Sequence, residues 1–232
     1  MPDVKVQIIK EKVVPGHRLG RHVEHDPQSR AFMAGTAQIL PEVRHLRHCP
    51  PFDQGDLGSC TGNAMAGVLM TEPYWQAGRT LVEADAVQLY EDATLLDKVK
   101  GAYPPEDTGS SGLAVAKAAV KKGYLTGYAH AFGKDHALGA LTLRPVWIGI
   151  NWYDSFDQPL PTGECTLSPN AGIRGGHEVE ANEYVSGGSG QLWCVQSWGP
   201  TWGGLGDGTF WFSFATFERL LAEDGDVTFG RV

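Results

Sequence analysis

The hydrophobic pattern changes period near residue 144. Before that point apolar residues recur at helical spacing. Cys60, Ala64, Val68 and Leu69 fall near one face after Ser59, and Pro73 disturbs the last turns. The stretch EADAVQLYEDATLLDKV (83–99) aligns Ala86, Leu89, Tyr90, Ala93 and Leu96 and predicts a second helix. A third, GLAVAKAAVKKG (112–123), opens after Ser110-Ser111 as N-cap and closes at Gly123. Beyond residue 144 the period is two. VWIGINWY (146–153), HEVEANEYV (177–185), LWCVQSW (192–198) and GTFWFSF (208–214) predict strands between Gly-rich turns, and FERLLAED (217–224) predicts a short C-terminal helix. The pattern therefore gives an α+β chain. A helical half covers about 41–144, an antiparallel sheet or barrel half covers 145–232, and the seam between them is the natural cleft.

The first 40 residues stand apart as an arm. VKVQIIKEKVV (4–14) is strand-like, Pro15-Gly16 breaks it, and RLGRHVEHDPQSRAF (18–32) is polar and turn-rich. Pro50-Pro51 excludes helix from the loop that follows, so 40–59 is extended.

Composition narrows the classes. With 232 residues, 42% of them hydrophobic and 20% charged, the chain is long enough to bury a core and is globular in type. A net charge of −8 argues against non-specific nucleic-acid binding, and no apolar run is long enough for a membrane span. The opening MPDVKVQIIKEKVVPG is too charged for the apolar region of a signal peptide, which points to a cytoplasmic or phage-particle location. The charge is also uneven. The first 48 residues hold eight Lys and Arg against five Asp and Glu, leaving 11 and 22 over the rest. A basic arm on an acidic body favours docking of one on the other. It can add as a strand to the sheet, or lie over the seam, and both arrangements stay open.

Four cysteines without a CxxC pair give neither a disulfide framework nor a zinc ribbon. His45-x-x-His48-Cys49 has metal-like spacing but lacks a fourth ligand nearby, so no metal and no cofactor are expected. Cys165 and Cys194 read as unpaired core or loop thiols, and Trp147, Trp152, Trp193 and Trp211 as core filling. Cys60 differs, because it sits where a loop becomes a helix. There the macrodipole and free backbone N–H groups favour a thiolate. Six residues earlier, Gln54 offers an amide donor for an oxyanion. His177 opens a strand after Gly175-Gly176, and Gln196 lies 19 residues further on. A cysteine, then a histidine, then a side-chain amide is the order of a thiolate–imidazolium pair held by a third group.

These segments resemble the papain-like cysteine peptidase family (C1-type). QGDLGSCTGNA (54–64) is similar to its active-site segment, GGHEVEANEY (175–184) to its His-containing strand, and QSWGPTWGGLGDGTFWF (196–212) to the segment of its orienting amide. LPEVRHLRHCPPFDQG (40–55) and EDTGSSG (106–112) resemble the bacterial and phage-encoded branch. The resemblance covers about residues 40–232. It implies a papain-like fold, with Cys60 as nucleophile, His177 as general base and acid, Gln196 as orienting residue and Gln54 as oxyanion donor. Gly109-Ser110 would be the edge that pairs with an extended substrate, and Trp198 the cover over the His177–Gln196 contact. Three positions depart from the family pattern: Gln196 for Asn, Thr61 for an aromatic, and Leu57 for a cysteine. On that pattern Gln196→Asn is expected to keep or raise activity. The implied partner is a polypeptide or a peptidoglycan-peptide substrate. Three functions follow: a peptidase, a cell-wall peptide hydrolase, or a non-catalytic module on the same fold. A transglutaminase ranks last, since its acidic third member is missing.

Overall fold

The computed structural model describes residues 4–33, 35 and 37–232. Along the chain run β1 (Lys5–Gln7), β2 (Val23–His25), β3 (Glu42–Arg44), α1 (Cys60–Leu69), α2 (Glu83–Thr94) and α3 (Gly112–Lys121). They are followed by β4 (Gly127–Ala131), α4 (Lys134–Leu143), β5 (Val146–Tyr153), β6 (Ile173–Val185), β7 (Gln191–Val195), β8 (Thr209–Ser213), α5 (Phe214–Ala222) and β9 (Asp226–Arg231). The large sheet is antiparallel in the order β4-β9-β5-β6-β7-β8, with β3 paired to β6. This is the expected α+β arrangement.

Two cores form. One packs α1, α2 and α3 around Met65, Leu69, Leu89 and Val115. The other fills the sheet and its covering helices with Ile148, Ile150, Trp152, Tyr184, Phe210 and Phe212. Trp147 belongs to the first, although it sits on β5. Its indole N–H donates to the Gly112 carbonyl at 3.1 Å, fastening the sheet to the start of α3. A second tie is polar. Glu180 of β6 is buried, pairs with Arg47 at 2.9 Å and accepts from the Thr71 hydroxyl. Breaking one partner of such a pair leaves an uncompensated buried charge.

Several expectations change. The sheet does not wait for residue 145. β4 already pairs with β9, so the chain enters the sheet core at Ala129 and the division at 144 lies too late. β4 (GYAHA) carries too little alternation to signal a strand, and its place is set by β9. The second helix ends at Thr94, not residue 99, because the Thr94 hydroxyl turns back to the Glu91 carbonyl and receives the Tyr103 N–H. Trp147, Trp152 and Trp211 are buried, whereas Trp193 is half-exposed and packs on Trp211 from outside. Cys165 and Cys194 are buried free thiols. In the arm only Lys5–Gln7 of the 4–14 stretch is a strand. It pairs with the arm's own β2 and not with the large sheet.

All ten residues of α1 are buried, and the helix crosses α2 at backbone contact. A Cβ at Gly62 would lie 2.1 Å from the Ala86 carbonyl oxygen and 2.9 Å from the Tyr90 nitrogen. Gly62→Ala must therefore push α2 away from the helix that carries Cys60. Overpacking of this kind costs roughly 1–3 kcal/mol, or about 2–4 °C of Tm per kcal/mol at this chain length. A thermal melt should record a drop of several degrees; an unchanged Tm contradicts the close crossing.

Candidate active site

Cys60 is the first residue of α1 and is fully buried. Its sulfur lies against the backbone N–H of Glu178, the residue after His177. The helix start and the β6 strand thus bring the segments that carry Cys60 and His177 together across the seam. His177 Nε2 donates to Gln196 Oε1 at 2.5 Å, and the Ser197 N–H also donates to that oxygen at 2.9 Å. With Nε2 carrying the hydrogen, Nδ1 keeps its lone pair, and it has no hydrogen-bond partner among the described residues. Trp198 stacks on the imidazole at 5.3 Å and Trp152 meets it edge-on at 5.0 Å.

The longer Gln side chain is therefore seated at hydrogen-bond distance without an adjustment. The expectation for Gln196→Asn reverses: a side chain one methylene shorter leaves the imidazole unheld.

Gln54 is held equally firmly. Gln54 Oε1 accepts from Ser197 Oγ at 2.6 Å, which fixes the amide's orientation. Its Nε2 donates to the Leu57 carbonyl at 2.7 Å and to the Leu19 carbonyl at 3.2 Å. Leu19 belongs to the arm. Of the two arrangements left open, the arm takes the seam.

From Leu19 to His22 the arm threads between the two walls. Gly20 and Arg21 donate to the Gly176 carbonyl at 3.1 and 3.0 Å. On the other side the Ser110 N–H donates to the Gly20 carbonyl, and the His22 N–H donates to the Ser110 carbonyl, a parallel pairing. Gly109-Ser110 is thus an edge that pairs with an extended chain, and the chain paired with it is the protein's own. Trp198 donates its indole N–H to the Arg18 carbonyl and stacks with His17 at 4.8 Å. Ion pairs run from arm to body as the charge asymmetry anticipated: Arg18 with Asp107, Arg21 with Asp226, Lys5 with Asp224, and Glu11 facing Arg174.

Dehydration by this cover moves the two central groups in opposite directions. Burial holds His177 down to about 3, against the help of the Gln196 bond, with Arg174 adding to the depression. Burial, followed by the charge of Glu178, pushes the Cys60 thiol well above its ordinary value. The pair beneath the arm is thiol and neutral imidazole.

Sequence reasoning missed the braces of the cleft. Asp107 accepts from the Gly58 N–H and from the Tyr90 hydroxyl, and the Tyr90 oxygen accepts from the Gly109 N–H. One Tyr–Asp pair thereby joins the loop before Cys60 to the Ser110 edge. Tyr90 looked like core because its ring is core; only its hydroxyl reaches the site. His45 and His48 have other partners, the Leu141 carbonyl and Glu72 with Trp75. No cluster of three metal-type side chains occurs among the described residues.

The comparisons with known proteins agree with this fold. No family model and no curated relative matches the chain, but solved structures do, and they establish the papain-like cysteine protease fold. Xylellain, a cysteine protease from Xylella fastidiosa, superposes with a TM-score of 0.69 at 17% identity over 97% of both chains. A digestive procathepsin L of Tenebrio molitor reaches 0.65 at 15% identity, over 87% of this chain and 73% of its own. The ragweed protease Amb a 11 in its proform reaches 0.62 at 17% identity, over 94% and 70%. At these identities the likeness is one of fold. No helix among the described residues is long and apolar enough to cross a membrane.

His22 makes arm docking sensitive to acid. Its Nε2 donates to the Thr108 carbonyl at 2.7 Å and its Nδ1 accepts from the Ile9 N–H at 3.1 Å, so only the neutral ring satisfies both. Burial lowers its pKa below the ordinary 6.5. A released arm takes up the proton first, so this contribution is complete above about pH 6.5 and is lost as pH falls below it. Proteolytic cutting within residues 10–24 should accelerate between pH 7.5 and 5. In His22→Gln, whose amide offers one donor and one acceptor at any pH, the acceleration should shrink. An identical pH response in both chains contradicts the assignment.

Proposed function

We propose that the chain is a cysteine peptidase held latent by its own arm, with Cys60 as nucleophile, His177 as base and acid, Gln196 as orienting residue and Gln54 as oxyanion donor. The observation that carries this reading is the His177–Gln196 hydrogen bond. It leaves Nδ1 as an unshared acceptor, while Cys60 stands at a helix N-terminus against the backbone N–H of Glu178, the residue after His177. Released from the arm, the pair regains water, and the two shifted pKa values relax toward each other. The Cys60 proton passes to His177 Nδ1 and the thiolate attacks the amide carbonyl. The oxyanion takes the Gln54 N–H that Leu19 now occupies, the imidazolium protonates the leaving amine, and water hydrolyses the thioester. An extended polypeptide in the cleft favours polypeptide over cell-wall peptide as substrate. The motif variants at 40–55 and 106–112 support a bacterial or phage-encoded origin.

Gly20 gives the means to test this with the full chain. A Cβ there would lie 2.1 Å from the Gly58 carbonyl oxygen, so Gly20→Ala expels the arm from the seam. The Gly20→Ala chain should hydrolyse an unfolded protein such as reduced casein, and the same chain with Cys60→Ala should not. Hydrolysis that survives loss of Cys60, or a Gly20→Ala chain as inert as its Cys60→Ala form, counts against the proposal. Lysis of cell-wall preparations without casein cleavage would assign the other substrate.

Added to Gly20→Ala, Gln196→Asn should lower kcat by tenfold or more, about 1.4 kcal/mol in the barrier, with little change in KM. Unchanged kcat means that the imidazole is held by its tryptophan neighbours alone.

A further inference from the structure

Arg21 is the arm residue seated between Gly176 and Ser110, and its side chain is fully buried. It points into a space defined by sheet register. Gly149 of β5 pairs with Glu178 on β6 to one side and with Asp226 on β9 to the other. Cross-strand partners share a face, so two carboxylates flank a residue without a side chain. The room above Gly149 is where the guanidinium lies. A Cβ on Gly149 would be 2.6 Å from Arg21 Nε, 2.7 Å from an Asp226 oxygen and 2.9 Å from a Glu178 oxygen. Gly112 closes the second wall in the same way, at 2.4 Å from Glu178 and 3.1 Å from Asp226. Arg21 Nη2 donates to Asp226 at 2.5 Å and to the Asp224 carbonyl at 2.7 Å. Both Glu178 oxygens are buried without a hydrogen-bond partner among the described residues, as are Nε and Nη1 of Arg21. The guanidinium compensates the partly exposed Asp226, whereas Glu178 is fully buried without an ion pair, and burial followed by the charge of Asp226 pushes its carboxyl well above the ordinary value.

We propose that this pocket selects substrates by an arginine side chain, with Asp226 as the specificity-determining residue and Glu178 as its buried wall. The inference rests on the peptidase reading for its consequence, whereas the pocket's preference for a cation does not depend on turnover. Arg21 lies two residues C-terminal to the Leu19 carbonyl on Gln54, and the arm runs parallel to the Ser110 edge; a substrate running the other way along that edge brings an arginine to the same pocket one residue before the residue whose carbonyl is attacked. The arm is thus held by the feature by which the cleft recognises its substrates, and an arginine peptide competes with the arm for one pocket. Lysine reaches the same carboxylate with a point charge instead of a planar fork and binds more weakly.

A binding measurement that needs no catalysis decides the matter. The full chain carrying Gly20→Ala and Cys60→Ala is titrated with two fluorescently labelled tripeptide amides, acetyl-Leu-Arg-Gly and acetyl-Leu-citrulline-Gly. Citrulline keeps the length and shape of arginine without its charge. The arginine peptide should bind at least tenfold more tightly, and the advantage should disappear in Asp226→Asn. In the same chain with Cys60 restored, the matching peptidyl electrophiles should modify Cys60 in the same order. Equal affinity for the two peptides, or binding of neither once proteolysis shows the arm released, overturns the pocket. A preference for arginine in binding with no modification of Cys60 sustains the pocket and defeats the peptidase reading instead.

Discussion

Backbone lies directly on backbone where the arm crosses the seam, and glycine alone permits that approach. The Gly20 position faces the Gly58 carbonyl, a Cβ at Gly109 would sit 2.4 Å from the Gly20 carbonyl, and one at Gly176 would sit 2.2 Å from the Arg21 carbonyl. Gly20 has φ +140° and Gly109 φ +70°, conformations that other residues reach only with strain. Three glycines, one on the arm and one on each wall, therefore set the width of the cleft. Everything else about the site follows from that width. The Gly176 and Ser110 peptide groups come within reach of one strand, Leu19 lands on Gln54, and water is excluded from Cys60 and His177.

The dehydration is what makes the two central groups quiet. A helix N-terminus favours a thiolate, but full burial outweighs it, and the thiol stays protonated while the imidazole stays neutral. The side-chain network around the imidazole is meanwhile fixed. Gln196 and Ser197 fix one another and the imidazole, Gln54 is held by Ser197 and Leu57, and Tyr90 with Asp107 ties both edges of the cleft to α2. On the proposed peptidase reading, latency is a matter of solvent and occupancy.

Much of this was legible in the chain because it is local. Cys60 ends a glycine-bearing loop at a helix start, His177 follows a Gly-Gly pair, Gln196 begins a Ser-Trp-Gly run, and the alternation of 146–153 marks β5 to the residue. What stayed hidden depends on distant partners. β4 and β9 are too short and glycine-containing to announce themselves, and each is made a strand by the other. The arm's 4–14 stretch keeps a strand's composition, yet its pairing is spent on β2 and on cleft backbone. The Glu178–Gly149–Asp226 row cannot be read before the registers of three strands are known, and the Tyr90 hydroxyl is invisible to a pattern that sees only its ring. Charge asymmetry did anticipate a docked arm, but not the parallel direction in which it runs.

The central claim of the proposed function is that the arm covers Cys60 and His177 and that its release activates the thiol. Its most direct measurement is the rate of Cys60 carbamidomethylation by iodoacetamide near pH 7, with half-exposed Cys49 as the internal standard in the same chain. In the full-length protein Cys60 should react more slowly than Cys49. In Gly20→Ala it should react at least tenfold faster than Cys49, since a helix-start thiolate beside an imidazole replaces a buried thiol. A Cys60 that remains slower than Cys49 after the arm has left would contradict the account.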